Sequence, residues 1–197
     1  MRVILLIAVV SVATLGSSLR AGESRAVNAK IEIADADGAK FRPLELNGKK
    51  AAVLIFIAHD CPISNTFIPE INRLCAAYTP KNIAFYAVHC DADTTVEQIR
   101  QHTRQFVLQP VVLVDKACAL PEQTGATVTP EAVVIGADGN VFYRGRIDDR
   151  YVAYGKKRDE PTTHELQAAL DAVLDGKPAP KPAGDPVGCF IFGVKKN

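Results

Sequence analysis

The chain has 197 residues, of which 48% are hydrophobic and 23% charged, with 23 basic against 22 acidic side chains. That length fits about one domain with a full core, and the even charge balance excludes the lopsided surface of a nucleic-acid or membrane-surface binder. The four histidines and five cysteines are too scattered to spell out a closed metal site.

The first segment, MRVILLIAVVSVATLGSS, sets Arg2 before an apolar block from Val3 to Val10 that fades by Leu15. Small residues follow, with cleavage positions after Ala21 or Ala26. This is the layout of a secretory signal peptide over residues 1–21. The strongly apolar part falls short of the ~20 residues of a membrane span, and the lack of a cysteine near the cut argues against a lipoprotein. The expectation is an exported protein, periplasmic or extracellular, with no stable membrane insertion after cleavage. Cysteine pairs persist in such compartments.

Along the mature chain, KIEIAD and KFRPLEL are predicted as short strands separated by the turn DADG, with NGKK turning after them. AAVLIFIA, Ala51 to Ala58, is a continuous apolar run that fits a strand buried on both faces. A helix is predicted from Ser64 to Tyr78, with Phe67, Ile71, Leu74 and Cys75 on its apolar side. IAFYAVH is a second buried strand. In DTTVEQIRQHTRQF, Thr94 and Glu97 suit a capping box, with Val96, Ile99 and Phe106 on one face. PVVLVD is a third strand, KACALPEQTG a short helix ending at Gly125, and TPEAVVIG a fourth strand. The turn ADGN returns the chain through VFYRGRID, because Asp-Gly supplies the positive φ a hairpin needs. PTTHELQAALDAVLDG has Thr162 and Glu165 for a capping box, Leu166, Ala169, Leu170 and Val173 as buried stripe, and Gly176 as stop. KPAPKPAGDP is an extended proline-rich linker that delivers an apolar stub, VGCFIFGV. Alternating strands and helices followed by a hairpin indicate an α/β domain with a central mixed sheet flanked by helices. The tail after it extends beyond that core.

Cys61 stands where a buried strand hands over to a helix, and Pro62 suits the first helical position because its missing N–H is no loss there. Unpaired N–H groups and the positive end of the helix dipole favour thiolate at such a place, with probe access expected. Asp60 would oppose this if it pointed the same way. The alternative is a buried structural cysteine, a common fate for this residue. Pro69, eight residues on, removes a helical hydrogen bond and clashes with the carbonyl of Asn65, an odd feature in a helix built for packing alone. Thr129-Pro130 precedes a strand, where a cis bond is available to X-Pro.

The order of an apolar strand, Cys61-Pro62, a helix with Pro69, then Thr129-Pro130-Glu131 before a strand and an Asp-Gly hairpin resembles the thioredoxin-like fold. More closely, it resembles the exported redoxin and peroxiredoxin-like branch, the alkyl hydroperoxide reductase and thiol-specific antioxidant family. Gly145 to Asp149 (GRIDD) and Gly188-Cys189 before an apolar ending add to the likeness, which spans about residues 30–192. The resemblance implies a redoxin domain over 27–176, a linker and cysteine-containing tail over 177–197, and a cis Pro130 packed beside Cys61. There are departures. The fourth motif position is Ser64, so a local C-x-x-C disulfide is impossible, and the chain has no tryptophan. Leu54 and Ala58 stand where the spacing P-x-x-x-T-x-x-C of peroxiredoxins places proline and threonine, so the hydroxyl that helps hold peroxide is missing.

The leading expectation is a thiol-disulfide oxidoreductase. Its site residues are Cys61, Pro62, Thr129, Pro130 and Cys189, with Cys61 as nucleophile and the tail cysteine Cys189 as resolving partner. Its partners are protein thiols or disulfides, or small peroxides, with an unspecified thiol as electron donor and no nucleic acid. The alternatives are a thiol peroxidase in which Cys61 becomes a sulfenic acid, and a copper-handling module in which His59 and Cys61 share a face. The second motif cysteine of such a copper site is missing, and the leading reading needs neither cofactor nor metal. Cys75 is expected in the core, and Cys90 and Cys118 are secondary candidates for pairing. Arg144 and Arg146 are expected to be solvated, and RIDDRY to lie near the site by resemblance.

Overall fold

The computed structural model of the chain describes residues 27–194, and the expected signal segment lies outside them. A short hairpin, β1 (Ile33–Ala34) and β2 (Lys40–Phe41), leads into β3 (Ala51–Ile57). Then come α1 (Pro62–Tyr78), a 3-10 turn (Thr79–Lys81), β4 (Ile83–His89), α2 (Val96–Phe106), β5 (Val111–Val114) and α3 (Ala119–Thr124). The second half holds β6 (Val128–Thr129), β7 (Glu131–Gly136), β8 (Val141–Gly145), the small hairpin β9 (Tyr151–Ala153) and β10 (Lys156–Lys157), α4 (Glu165–Leu174) and β11 (Cys189–Phe190). The central sheet has the order β5-β4-β3-β7-β8. β3 runs parallel to β4, and β4 to β5, while β7 is antiparallel to β3 and β8. The sheet is therefore mixed.

Every residue of β3 is buried because both faces of the sheet are covered. Ala51, Val53, Ile55 and Ile57 point into one cluster with Phe67, Ile71 and Leu74 of α1, Ile99 of α2, and Leu166, Ala169 and Leu170 of α4. Ala52, Leu54 and Phe56 face the opposite cluster with Ile33, Leu44 and Leu120. The two-residue strand period sorts alternate side chains to the two cores, and each large one contributes roughly 1.5–3 kcal/mol on burial. The eight-residue apolar run is thus the spine of the domain.

Local expectations failed where tertiary partners claimed the side chains. The α2 capping box uses Thr95 and Gln98 rather than Thr94 and Glu97: Gln98 N–H donates to Thr95 Oγ1 at 3.2 Å, and Thr95 N–H to Gln98 Oε1 at 2.8 Å. Thr94 is held instead by Asp91, its hydroxyl donating at 2.9 Å. Val96 is only half-buried, and His102 joins Ile99 on the buried side of α2. At α4, Thr162 donates to Asp149, and Glu165 pairs with Arg146 at 2.5 Å, so no side chain caps that helix. Arg146 is accordingly a largely buried member of an ion pair, not a solvated strand residue. Arg144 is half-exposed and lies 3.6 Å from Glu131.

Beyond α4, Gly176 takes a positive φ of 66°, and residues 177–188 form neither helix nor strand. The tail then docks. Cys189 pairs antiparallel with Thr129 and Phe190 with Val128, and Ile191 N–H donates to Thr127 O at 2.9 Å. Ile191 is buried, whereas Phe190 is mostly exposed and Phe192 is 87% exposed. Backbone pairing and the buried Ile191 anchor the tail, with Val187 and Cys189 packed against one core and Val194 against the other.

Candidate active site

The site forms where β3 ends and α1 begins. Cys61 is the N-cap of α1, extended at φ −85° and ψ 109°, with Pro62 in the first turn. Its sulfur accepts the Ser64 N–H at 3.5 Å, satisfying one of the donors left open at a helix start. The Thr129-Pro130 peptide bond is cis, and the Cys61 thiol donates to Thr129 O at 3.3 Å. Glu131, buried beneath this segment, accepts the N–H groups of Thr127 (2.7 Å) and Val128 (3.3 Å) and so fixes the run into the cis bond.

The tail completes the cluster. The Cys189 thiol donates to Cys61 Sγ at 3.0 Å across 128 residues of chain. Thr129 Oγ1 donates to Cys189 O at 3.4 Å, and the Tyr154 hydroxyl donates to Gly188 O. Gly188 is needed at its place. A Cβ there would lie 2.5 Å from the carbonyl carbon of Thr129, closer still to its oxygen, and 3.0 Å from Pro130 N. The tail therefore reaches the cis peptide with only a hydrogen atom between backbones.

These contacts polarise the two sulfurs. Burial opposes ionisation of Cys61, but hydrogen bonds from Cys189 and from the Ser64 backbone and hydroxyl outweigh it and lower its pKa. The Ser64 hydroxyl is buried with no other partner, so it is free to turn toward a thiolate. For Cys189 the balance runs the other way: burial, the hydrogen bond to Cys61 and the Cys61 charge push its thiol up to about 11. The Asp60 carboxylate bears on Cys189 in the same direction. The contacts thus favour the thiolate at Cys61 and the thiol at Cys189.

The structure brings Cys61, Pro62, Thr129, Pro130 and Cys189 into one cluster. It buries Cys61 to 2% exposure, contrary to the access expected from sequence, because the tail sits against it. Cys75 lies in the core, and burial raises its thiol. Tyr151 of RIDDRY contacts Thr66 of α1 at 3.2 Å and packs its ring on Phe67. His59 Nδ1 lies 3.3 Å from Thr94 Oγ1. Among the described residues no group of three or more His, Cys, Asp or Glu side chains could hold a metal. Ser64, Tyr154 and the steric role of Gly188 were missed in the sequence. Only Ser64 carried a signal, as the residue in the second cysteine's place.

The sequence pattern of the AhpC/TSA family matches residues 24–144, more than half of the chain. The chain belongs to the AhpC/TSA family. That match includes Cys61, Thr129 and Pro130 but stops short of the tail that carries Cys189. Solved structures of the same fold extend the likeness. A hypothetical protein from Sinorhizobium meliloti is 25% identical with a TM-score of 0.73, covering 85% of this chain and 92% of its own. A protein described as a candidate thioredoxin from Neisseria meningitidis is 24% identical with a TM-score of 0.60, over 78% of this chain and 92% of its own. A secreted Mycobacterium tuberculosis disulfide oxidoreductase homologous to E. coli DsbE is 19% identical with a TM-score of 0.52, over 75% and 96%. The domain is a redoxin with the thioredoxin-like fold. No curated protein matches the chain.

Proposed function

We propose that the protein is an exported thiol-disulfide oxidoreductase in which Cys61 is the nucleophile and Cys189 the resolving cysteine. The observation that carries this reading is the 3.0 Å approach of two oppositely tuned sulfurs, one on the helix cap and one on the tail. The Cys61 thiolate attacks one sulfur of a partner disulfide and expels the other as a thiolate, which takes up a proton. Cys189 then gives up its proton and attacks Cys61 Sγ, releasing the second partner thiol and leaving a Cys61–Cys189 disulfide. Two external thiols, themselves oxidised to a disulfide, supply the two electrons and two protons that restore the pair. Thr129 O holds the resting Cys61 proton, Pro130 keeps that carbonyl turned to the sulfur, and Pro62 starts the helix that presents it. Because Cys61 is covered, residues 187–192 must lift for a protein disulfide to reach it. The redoxin domain is assigned to 27–176, the proline-rich linker and cysteine-containing tail to 177–197, and export to the signal segment at 1–21. Among the described residues no helix is long and apolar enough to cross a membrane.

The burial of Cys61 also favours a second reading, thiol peroxidase, since a small peroxide reaches a covered sulfur more easily than a protein does. Cys61 thiolate would take one peroxide oxygen to become a sulfenic acid, and Cys189 would condense with it, expelling water. Ala58 supplies no hydroxyl for that chemistry. The deciding experiment compares turnover on a protein disulfide with turnover on hydrogen peroxide, followed by non-reducing peptide mapping. Faster disulfide turnover with a Cys61–Cys189 bridge is expected. Faster peroxide turnover with the same bridge would replace the first reading by the second.

A further inference from the structure

Two more cysteines line a cleft beside the tail. This cleft of about 600 Å³ runs past Cys189 and the tail to Cys90, Asp91, Lys116 and Cys118. Cys90 follows the end of β4 and is buried, while Cys118 is the partly exposed N-cap of α3. The Cys118 thiol donates to Cys90 O at 2.9 Å and to Phe192 O at 3.4 Å, which sets its sulfur against residue 90. The surrounding backbone fixes this approach. Asp115 accepts the N–H groups of Ala119 (3.1 Å) and Leu120 (2.7 Å), its carbonyl accepts the Cys118 N–H at 3.0 Å, and Cys118 itself is held at φ 52°. A non-glycine residue is uncommon in that left-handed region, and here it turns the sulfur back toward β4.

We propose that Cys90 and Cys118 form a second redox-active dithiol, which closes to a disulfide by exchange with a small-molecule disulfide entering the cleft beside the tail. The inference goes beyond the function proposed above, since neither residue takes part in it. Cys118, the more accessible sulfur, attacks first. A hydrogen bond with Cys90 favours its thiolate, whereas that same bond, with burial, keeps Cys90 protonated. Cys118 sulfur bonds to one sulfur of the incoming disulfide and expels the other as a thiolate. That thiolate takes the Cys90 proton. Cys90 sulfur then bonds to Cys118 and expels the second thiolate, which is protonated from water in place of the proton Cys118 gave up. Two cysteine thiols are oxidised, and one small disulfide is reduced to two thiols. Closure also removes the S–H that Cys118 directs at Phe192 O.

The test uses the full chain carrying Cys61→Ser and Cys189→Ser, treated with oxidised glutathione without oxygen, then read by intact mass and non-reducing peptide mapping. The expected result is loss of two hydrogen atoms, a Cys90 peptide joined to the Cys118 peptide, and Cys75 free. Recovery of both residues as thiols overturns the proposal, as does a stable glutathione adduct on Cys118 beside a free Cys90. Because the first pair is absent, failure of the Cys61–Cys189 reading leaves this result untouched. The wild-type chain, mapped in the same way, guards against misfolding of the variant: the same Cys90–Cys118 linkage is expected, and its absence counts against the proposal equally.

Discussion

Gly188→Ala separates the resolving tail from the nucleophile without touching either sulfur. The added Cβ would lie 2.5 Å from the Thr129 carbonyl carbon, with backbone rather than a flexible side chain in its way. Ordinary carbon contacts need ~3.5 Å, so the tail must retreat by on the order of 1 Å. That retreat strains the Cys189–Thr129 pairing and widens the 3.0 Å gap between the sulfurs. Overpacking of this kind is worth ~1–3 kcal/mol, and a misplacement of ~1 Å at a reacting atom lowers a rate by ~100-fold. Formation of the Cys61–Cys189 bridge should therefore slow by about 10- to 100-fold, by either route. Stopped-flow oxidation with quenched alkylation reads that step. Alkylation of Cys61 should become faster in the variant, because the cover is loosened. Bridge formation at the wild-type rate, with Cys61 still protected, would refute the assignment of Gly188 as the point of close approach.

Other outcomes follow from the same geometry. Ser64→Ala removes the buried hydroxyl that favours the Cys61 thiolate, so the pH midpoint of Cys61 alkylation should move upward; an unchanged midpoint would show that the backbone N–H alone sets it. Burial, with the charges of His102 and His59, holds His89 at about 3, and burial holds His102 at about 4. Their folded pKa values lie below the unfolded ~6.5, so the stability they contribute is complete above that pH and is lost as pH falls toward 4. Each such proton contributes a slope of ~1.4 kcal/mol per pH unit. Urea unfolding between pH 7 and 4 should be less pH-dependent in His89→Phe, by about one proton's slope; identical slopes would contradict the burial of a neutral His89. Ala58→Thr should raise peroxide consumption while leaving disulfide exchange near the wild-type rate, and a peroxide rate unchanged by the hydroxyl would remove position 58 from the account.

Much of this fold was legible because β3 is an uninterrupted apolar run, and only a strand covered on both faces buries every residue of it. The position of Cys61 was equally local, set by a strand end and a proline at the first helical turn. What stayed hidden depends on distant partners. The α2 cap was expected at Thr94, but Asp91 binds that hydroxyl and the cap falls on Thr95. Arg146 looked solvated on a strand pattern, yet Glu165 draws it inward. The proline-rich linker allowed the tail to reach Cys61, but reach says nothing of where it stops. That is fixed by Gly188 against Thr129 and by the pairing of Cys189 with Thr129, both visible only once the chain is folded. The same holds for Cys90 and Cys118, whose approach is set by Asp115 and the left-handed backbone at Cys118.

The central claim is that Cys189 resolves what Cys61 captures, and Cys189→Ser tests it most directly. The variant is mixed with a stoichiometric disulfide substrate, quenched in acid, and mapped without reduction. Substrate is expected trapped on Cys61 as a stable mixed disulfide, with turnover abolished, where the wild-type chain releases its substrate and shows a Cys61–Cys189 bridge. Full turnover by Cys189→Ser, with Cys61 joined instead to Cys90 or Cys118, would contradict it and leave the tail as a structural cover.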